Sequence, residues 1–120
     1  MIYNYRGASK QLKYKNKKCE YDGKKFDSLK EKNQYIIFKQ MEKEGKISDL
    51  QCQVPFELQP KFKFNGKTIR PITYIADFTY IENGKQVVVD VKSEITRKDK
   101  VYRLKKKMLQ YQYNIDLKEI

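Results

Sequence analysis

Three residues carry the chemistry this sequence could do. Asp77, Asp90 and Lys92 stand on TYIADFTYI and QVVVDVK, joined by ENGK. Both segments are dense in β-branched and aromatic residues and read as strands. Asn83-Gly84 between them reads as a two-residue hairpin turn. In that register Glu82 faces Lys85 and, counting back along both strands, Asp77 faces Asp90. Opposed residues on one face have Cβ atoms roughly 4.5–5.5 Å apart. Lys92, two positions beyond Asp90, points to the same face. Two opposed carboxylates inside apolar strands repel one another and are costly to desolvate. A divalent cation resolves both costs. Mg²⁺, for which Mn²⁺ can substitute, accepts carboxylate oxygens, a backbone carbonyl such as that of Val91, and waters. Such an ion clamps a phosphate and lowers the pKa of an attacking water. A lysine beside it can orient or deprotonate that water, or offset charge in the transition state. A plain Asp90–Lys92 ion pair explains the same letters without metal, and a one-residue slip in the turn would send the aspartates to opposite faces.

The elements that must position these residues are legible around them. KKCEYDGKKFDS holds Asp22-Gly23 and reads as a short hairpin. Ser28 then opens a helix to about Glu44, with Ser28-x-x-Glu31 in capping-box form and Gly45 as its stop. Leu29, Tyr35, Ile36, Ile37, Phe38 and Met41 cover much of its circumference, which predicts burial of its middle turns. QCQVPFELQPKFKF carries two prolines and reads as an edge strand or extended loop. Asn65-Gly66 is a further turn. A second helix is predicted from Lys98 to Gln112, with Val101, Leu104, Met108 and Tyr111 as its buried stripe and a basic face elsewhere. Asn114 to Ile120 reads as a last strand. The expected fold is α/β, an α+β mixed sheet in the order helix, three strands, helix, strand after an N-terminal hairpin. Residues 1–16 read as a flexible basic arm and 17–120 as one domain.

Composition narrows the partners. The chain has 120 residues, with 27 Lys and Arg against 15 Asp and Glu, a formal charge of +12. Such a surface captures polyanions, nucleic acid first and anionic membrane second. Lys100, Arg103, Lys106 and Lys107 on the second helix are the candidate phosphate contacts; a solvated helix face is the plainer reading. There is no histidine, which excludes histidine bases and His-ligated zinc. Cys19 and Cys52 have neither metal-site nor disulfide-framework spacing and are expected to be reduced. No apolar run suits a signal peptide or a membrane span, so a cytoplasmic protein is expected.

YIADFTYIENGKQVVVDVK resembles the core signature of the PD-(D/E)XK nuclease superfamily: an acid on one strand, a short hairpin, then acid-x-Lys. FDSLKE, with Glu31, resembles the extra helical glutamate of many members. FDSLKE, FELQPKF, TYIADF and LKKK together resemble a family of small phage-encoded endonuclease-like proteins classed as a domain of unknown function, over about residues 17–120. The resemblance implies a restriction-endonuclease-like core and a Mg²⁺-dependent DNA endonuclease of phage replication, recombination or repair. Asp77 and Asp90 would hold the metal, Lys92 would serve the water, and Glu31 would assist through a water or a second ion. The proline of the superfamily's name is Ala76 here. The alternative is an inactive nuclease fold that binds nucleic acid or a phage partner. An RNase H-like nuclease is a third reading, weakened by the lack of a fixed role there for Lys92. A homodimer would suit two-strand cutting.

Overall fold

The computed structural model describes residues 18–120; the predicted basic arm, residues 1–16, lies outside them. The fold is mixed α+β. Its elements are β1 (Cys19–Tyr21), β2 (Lys24–Phe26), α1 (Leu29–Lys43), β3 (Ser48–Gln59), β4 (Phe62–Phe64), β5 (Lys67–Ile69), β6 (Ile72–Glu82), β7 (Lys85–Asp90), α2 (Glu94–Arg97), α3 (Lys100–Tyr113) and β8 (Lys118–Glu119). The chain divides into two compact units between Gln40 and Met41.

In the first unit β1 and β2 form the predicted hairpin, with Asp22 and Gly23 in the left-handed region at φ 56° and 74°. Aspartate and glycine tolerate that region, so this turn tightens without strain. Phe26 and Tyr35 pack with ring centroids 5.1 Å apart, and the Tyr35 hydroxyl donates to Asp22 at 2.8 Å. Ser28 caps α1: its Oγ accepts the Glu31 N–H at 3.0 Å. That bond satisfies one of the orphan donors of the first turn. Ser28→Ala is expected to cost about 1 kcal/mol, read as a lower urea midpoint with unchanged slope. The burial predicted for α1 is only partly met. Glu31, Tyr35 and Phe38 are buried, whereas Leu29, Ile36 and Ile37 are exposed. The apolar residues outnumber the positions on one helical stripe, and an extra apolar side chain costs little on the surface.

In the second unit α1 ends as Gly45 predicts. Gly45 takes φ 79°, and the N–H groups of Gly45 and Lys46 bond the carbonyls of Glu42 and Met41 at 3.1 and 2.9 Å, the two bonds of a Schellman stop. The four-stranded sheet has the order β3-β6-β7-β8. β3, with both prolines at or near it, is an edge strand, and the valine-rich β7 is central. Pairing is antiparallel except between β7 and β8, which run parallel. Parallel neighbours need a long crossover, and α2 and α3 supply it. Leu58, Tyr74, Ala76, Val88, Tyr102, Leu109 and Leu117 form the core between the sheet and α3.

The predicted stripe of α3 is overturned at three of its four positions; Met108 is half-buried against the core. Val101 is 60 % exposed, Leu104 58 % and Tyr111 91 %. The buried positions are Tyr102 and Leu109, with Lys105 and Lys106 half-buried between them. Lysines supply this face with aliphatic stems while their ammonium groups reach polar partners. Lys105 Nζ donates to the Thr73 carbonyl at 3.0 Å. Among the described residues no helix is long and apolar enough to cross a membrane. Cys19 and Cys52 are free thiols.

Candidate active site

The hairpin register places the site. Asn83 and Gly84 take φ 52° and 78°, and Glu82 pairs with Lys85. Positive φ at both central residues is what a two-residue turn of this type demands. The pairing continues to Phe78 opposite Val89 and stops there. One step further the two aspartates take over. The Asp77 carboxylate accepts the Val91 N–H at 2.8 Å, and the Asp90 carboxylate receives a hydrogen bond from the backbone of Asp77. Each acid thus satisfies the backbone of the other's strand, at the end of β7 and in the middle of β6, where the pairing between the two leaves off. The predicted flat face-to-face opposition of Asp77 and Asp90 is replaced by this reciprocal clamp; the two acids are still brought together.

Lys92 belongs to the same cluster. Its backbone N–H bonds the Ile120 carbonyl at 2.9 Å, beyond the end of the β7–β8 pairing. Its Nζ lies 3.3 Å from Asp90 Oδ2 and 4.5 Å from the centre of the Tyr102 ring. Lysine above an aromatic face is held by the ring quadrupole. The Tyr102 hydroxyl donates to Glu119, and Glu119 also pairs with Lys106 at 3.3 Å. Glu119 is the β8 neighbour of Asp90. A chain of contacts therefore runs from Lys106 through Glu119 and Tyr102 to Lys92 and Asp90.

Asp90 is 1 % exposed. Burial pushes its carboxyl up to about 6 from 3.8; Lys92 and the Asp77 backbone pull it back, and Glu119 pushes it further up. Its Oδ2 is buried and has only the Lys92 ammonium beside it, at 3.3 Å and outside good hydrogen-bond geometry. A buried carboxylate oxygen left in that state calls for a partner. Its neighbour Asp77 is a second hard oxygen donor, and no histidine is present to favour a softer ion. This donor set suits Mg²⁺. Among the described residues no three His, Cys, Asp or Glu side chains converge, so an ion here would take two carboxylates and complete its shell with carbonyl oxygen and water.

Glu31 lies in the first unit, buried at 4 %, and its catalytic role rests on resemblance alone. Lys100, Arg103 and Lys107 are exposed on α3, while Lys106 is half-buried against Glu119. Tyr102 and Glu119 were missed by sequence reasoning. Their signals are faint but present: Tyr102 is spaced i, i+7 from Leu109 on the buried face, and Glu119 shares strand parity with buried Leu117.

Burial raises the pKa of the Tyr102 hydroxyl, helped by Glu119, and the bond from Tyr102 holds the Glu119 carboxyl below its usual 4.5. A lowered carboxylate pKa contributes stability above the unfolded value and loses it as pH falls through the folded value. Tyr102→Phe keeps the ring under Lys92 and removes the hydroxyl. It is expected to cost about 1–2 kcal/mol at pH 7, with the difference from wild type shrinking below pH 4.5; urea melts across pH 3–7 check this.

Residues 11–120 match the family described as Protein of unknown function (DUF1064). No curated protein and no solved structure matches the chain.

Proposed function

We propose that this chain, which belongs to the DUF1064 family, is a metal-dependent nuclease that hydrolyses phosphodiester bonds, with DNA as its substrate. The observation that carries this reading is the buried Asp90 carboxylate, clamped beside Asp77, with one oxygen served only by the Lys92 ammonium 3.3 Å away in poor hydrogen-bond geometry. A neutral amide could accept the Asp77 N–H as well as the acid does, and burying an acid is costly. Fully buried charges persist where they bind or react.

Asp77 and Asp90 would hold a divalent cation, which supplies a Lewis acid for a phosphoryl oxygen and a water of lowered pKa. The remaining work belongs to the chain's own residues. Lys92, steadied by the Tyr102 ring, places its ammonium beside the carboxylates, where a non-bridging phosphate oxygen gains charge. The Val91 N–H bond holds the Asp77 carboxylate in place beside Asp90. The basic residues of α3 hold the flanking phosphates. The charge of +12 supports nucleic acid as the polyanion.

The test is cleavage of supercoiled plasmid, single-stranded DNA and four-way junctions with Mg²⁺ or Mn²⁺ against EDTA. Metal-dependent cutting that Asp90→Ala abolishes is the expected result. Salt-sensitive DNA binding with no turnover under any metal would instead establish the second reading, an inactive nucleic-acid-binding module. The two-carboxylate donor set keeps that reading in view.

A further inference from the structure

We infer that the cleft beside the carboxylates, between α2, α3 and β8, is a separate phosphate-binding subsite that anchors the nucleic acid away from the bond to be cut. Its identity as a nucleic-acid subsite rests on the nuclease reading; its affinity for phosphate does not.

The cleft has a volume of about 270 Å³ and is walled by Arg97, Arg103, Lys106 and Lys107, with Tyr102, Gln110 and Glu119 completing its lining. Four cations face one carboxylate. That carboxylate is already engaged by Lys106 and the Tyr102 hydroxyl and also feels the charge of Arg97. Arg97, Arg103 and Lys107 form no ion pair within the described side chains. One shared carboxylate leaves an excess of positive charge, and three cations without a direct ion pair around a space of that size make a receptor for a compact, multiply charged anion. Two of the three are arginines, whose planar forks match the paired oxygens of phosphate.

Position argues for a substrate subsite and against a diffuse surface patch. Glu119 is the strand neighbour of Asp90, and neighbouring strands lie about 4.8 Å apart. Tyr102 is shared between the two sites, with its ring under Lys92 and its hydroxyl on Glu119. A phosphate seated in the cleft therefore stands next to the carboxylates without occupying them. Tyr102 and Glu119 act as positioning residues between anchor and reaction centre. The phosphate could be an internal diester or a terminal monoester; the chemistry of capture is the same.

The experiment is done in EDTA, so that no cutting occurs and the outcome is independent of catalysis. Inorganic phosphate is titrated into labelled protein while the arginine side-chain N–H resonances are followed. Those of Arg97 and Arg103 are expected to shift and saturate, with exposed Arg70 unmoved. Equal, unsaturating shifts at Arg70 would overturn the subsite. Binding of a single-stranded decamer is then compared between Arg97→Gln/Arg103→Gln and a control of equal charge loss on the β4 hairpin, Lys61→Gln/Lys63→Gln. The cleft variant is expected to lose about tenfold in affinity and to lower the slope of log Kd against log salt by about 0.7, the value for one phosphate contact on a single strand. Equal losses in the two variants would overturn the proposal. If the subsite takes a terminus, a 5′-phosphorylated decamer binds tighter than its 5′-hydroxyl twin; if it takes an internal phosphate, the two bind alike and both weaken in the cleft variant. Absence of metal-dependent cutting alongside saturable phosphate binding would sink the nuclease reading and leave the subsite standing.

Discussion

Asp90→Asn is expected to melt higher than wild type in EDTA at pH 7 and to cut no DNA when metal is restored. The two halves have one cause. A carboxyl titrating at about 6 in the fold and at 3.8 in the open chain binds its proton more tightly when folded. The fold therefore loses stability as pH rises between those values, and the full penalty is present above the higher one. At about 1.4 kcal/mol per pH unit the penalty is roughly 3 kcal/mol. Asparagine keeps the shape and removes the charge. It also removes the countercharge of Lys92, and its amide needs partners of its own, so a gain of about 1–2 kcal/mol is the expectation, or roughly 5–10 °C for a domain of this size. The gain should shrink as pH falls below 6 and vanish below about pH 3, where the acid is neutral in both states. Catalysis should fall by about 10³-fold or more, since a neutral amide cannot replace a charged donor at a metal that activates the nucleophile. A purely structural Asp90 predicts the opposite on stability. An Asp90→Asn protein that melts lower than wild type at pH 7, or cuts as well, would refute the assignment. Stability held below its optimum at a reacting group is the usual signature of function.

How much of this could be read without coordinates depends on the range of the interaction. Asn83-Gly84 is a local signal, and local chemistry alone dictated a turn whose register places Asp77 and Asp90 together. Asp22-Gly23, Ser28 and Gly45 were legible for the same reason: each acts through backbone atoms within a few residues of itself. The clamp was not legible. Pairing that stops at Phe78 and Val89, with side chains replacing the ladder, depends on how the strands diverge under the packing of the whole sheet. The face of α3 was misread because two stripes compete. Val101, Leu104, Met108 and Tyr111 have the stronger apolar period, but the helix buries Tyr102 and Leu109 with lysine stems between them. Polarity scales count lysine as wholly polar, whereas four of its carbons pack like any aliphatic chain. The same misreading hid Tyr102 and Glu119, because the residues that steady Lys92 come from the face that pattern reasoning had turned outward. Arg97 escaped too, since α2 is too short to show a period.

Asp77→Ala should differ from Asp90→Asn in sign on one axis and agree with it on the other. Both carboxylates accept a backbone N–H, but alanine at 77 removes that acceptor whereas asparagine at 90 keeps one. Asp77 Oδ2 accepts the Val91 N–H at 2.8 Å, just where the β6–β7 ladder has ended. Removing it leaves that N–H, next to a strand end, without its acceptor, and an unmet buried donor costs about 1–3 kcal/mol. The backbone that sets the position of Lys92 is one residue further on. Alanine should therefore lower the melting temperature in EDTA by roughly 5–15 °C and also abolish cutting. Asp77→Asn separates the two roles, because its amide oxygen can still accept the Val91 N–H while the charge needed for a cation is gone. The expected pattern is near wild-type stability for Asp77→Asn, marked loss for Asp77→Ala, and no metal-dependent cleavage from either. Isothermal titration with Mn²⁺ should show both variants binding at least about tenfold more weakly than wild type, given the weight of each charged ligand in a two-carboxylate site. Wild-type metal affinity in Asp77→Asn would confine Asp77 to a strand-end clamp and leave the cation to Asp90 alone. The comparison thus asks of one side chain which of its two oxygens holds the fold and which holds the metal.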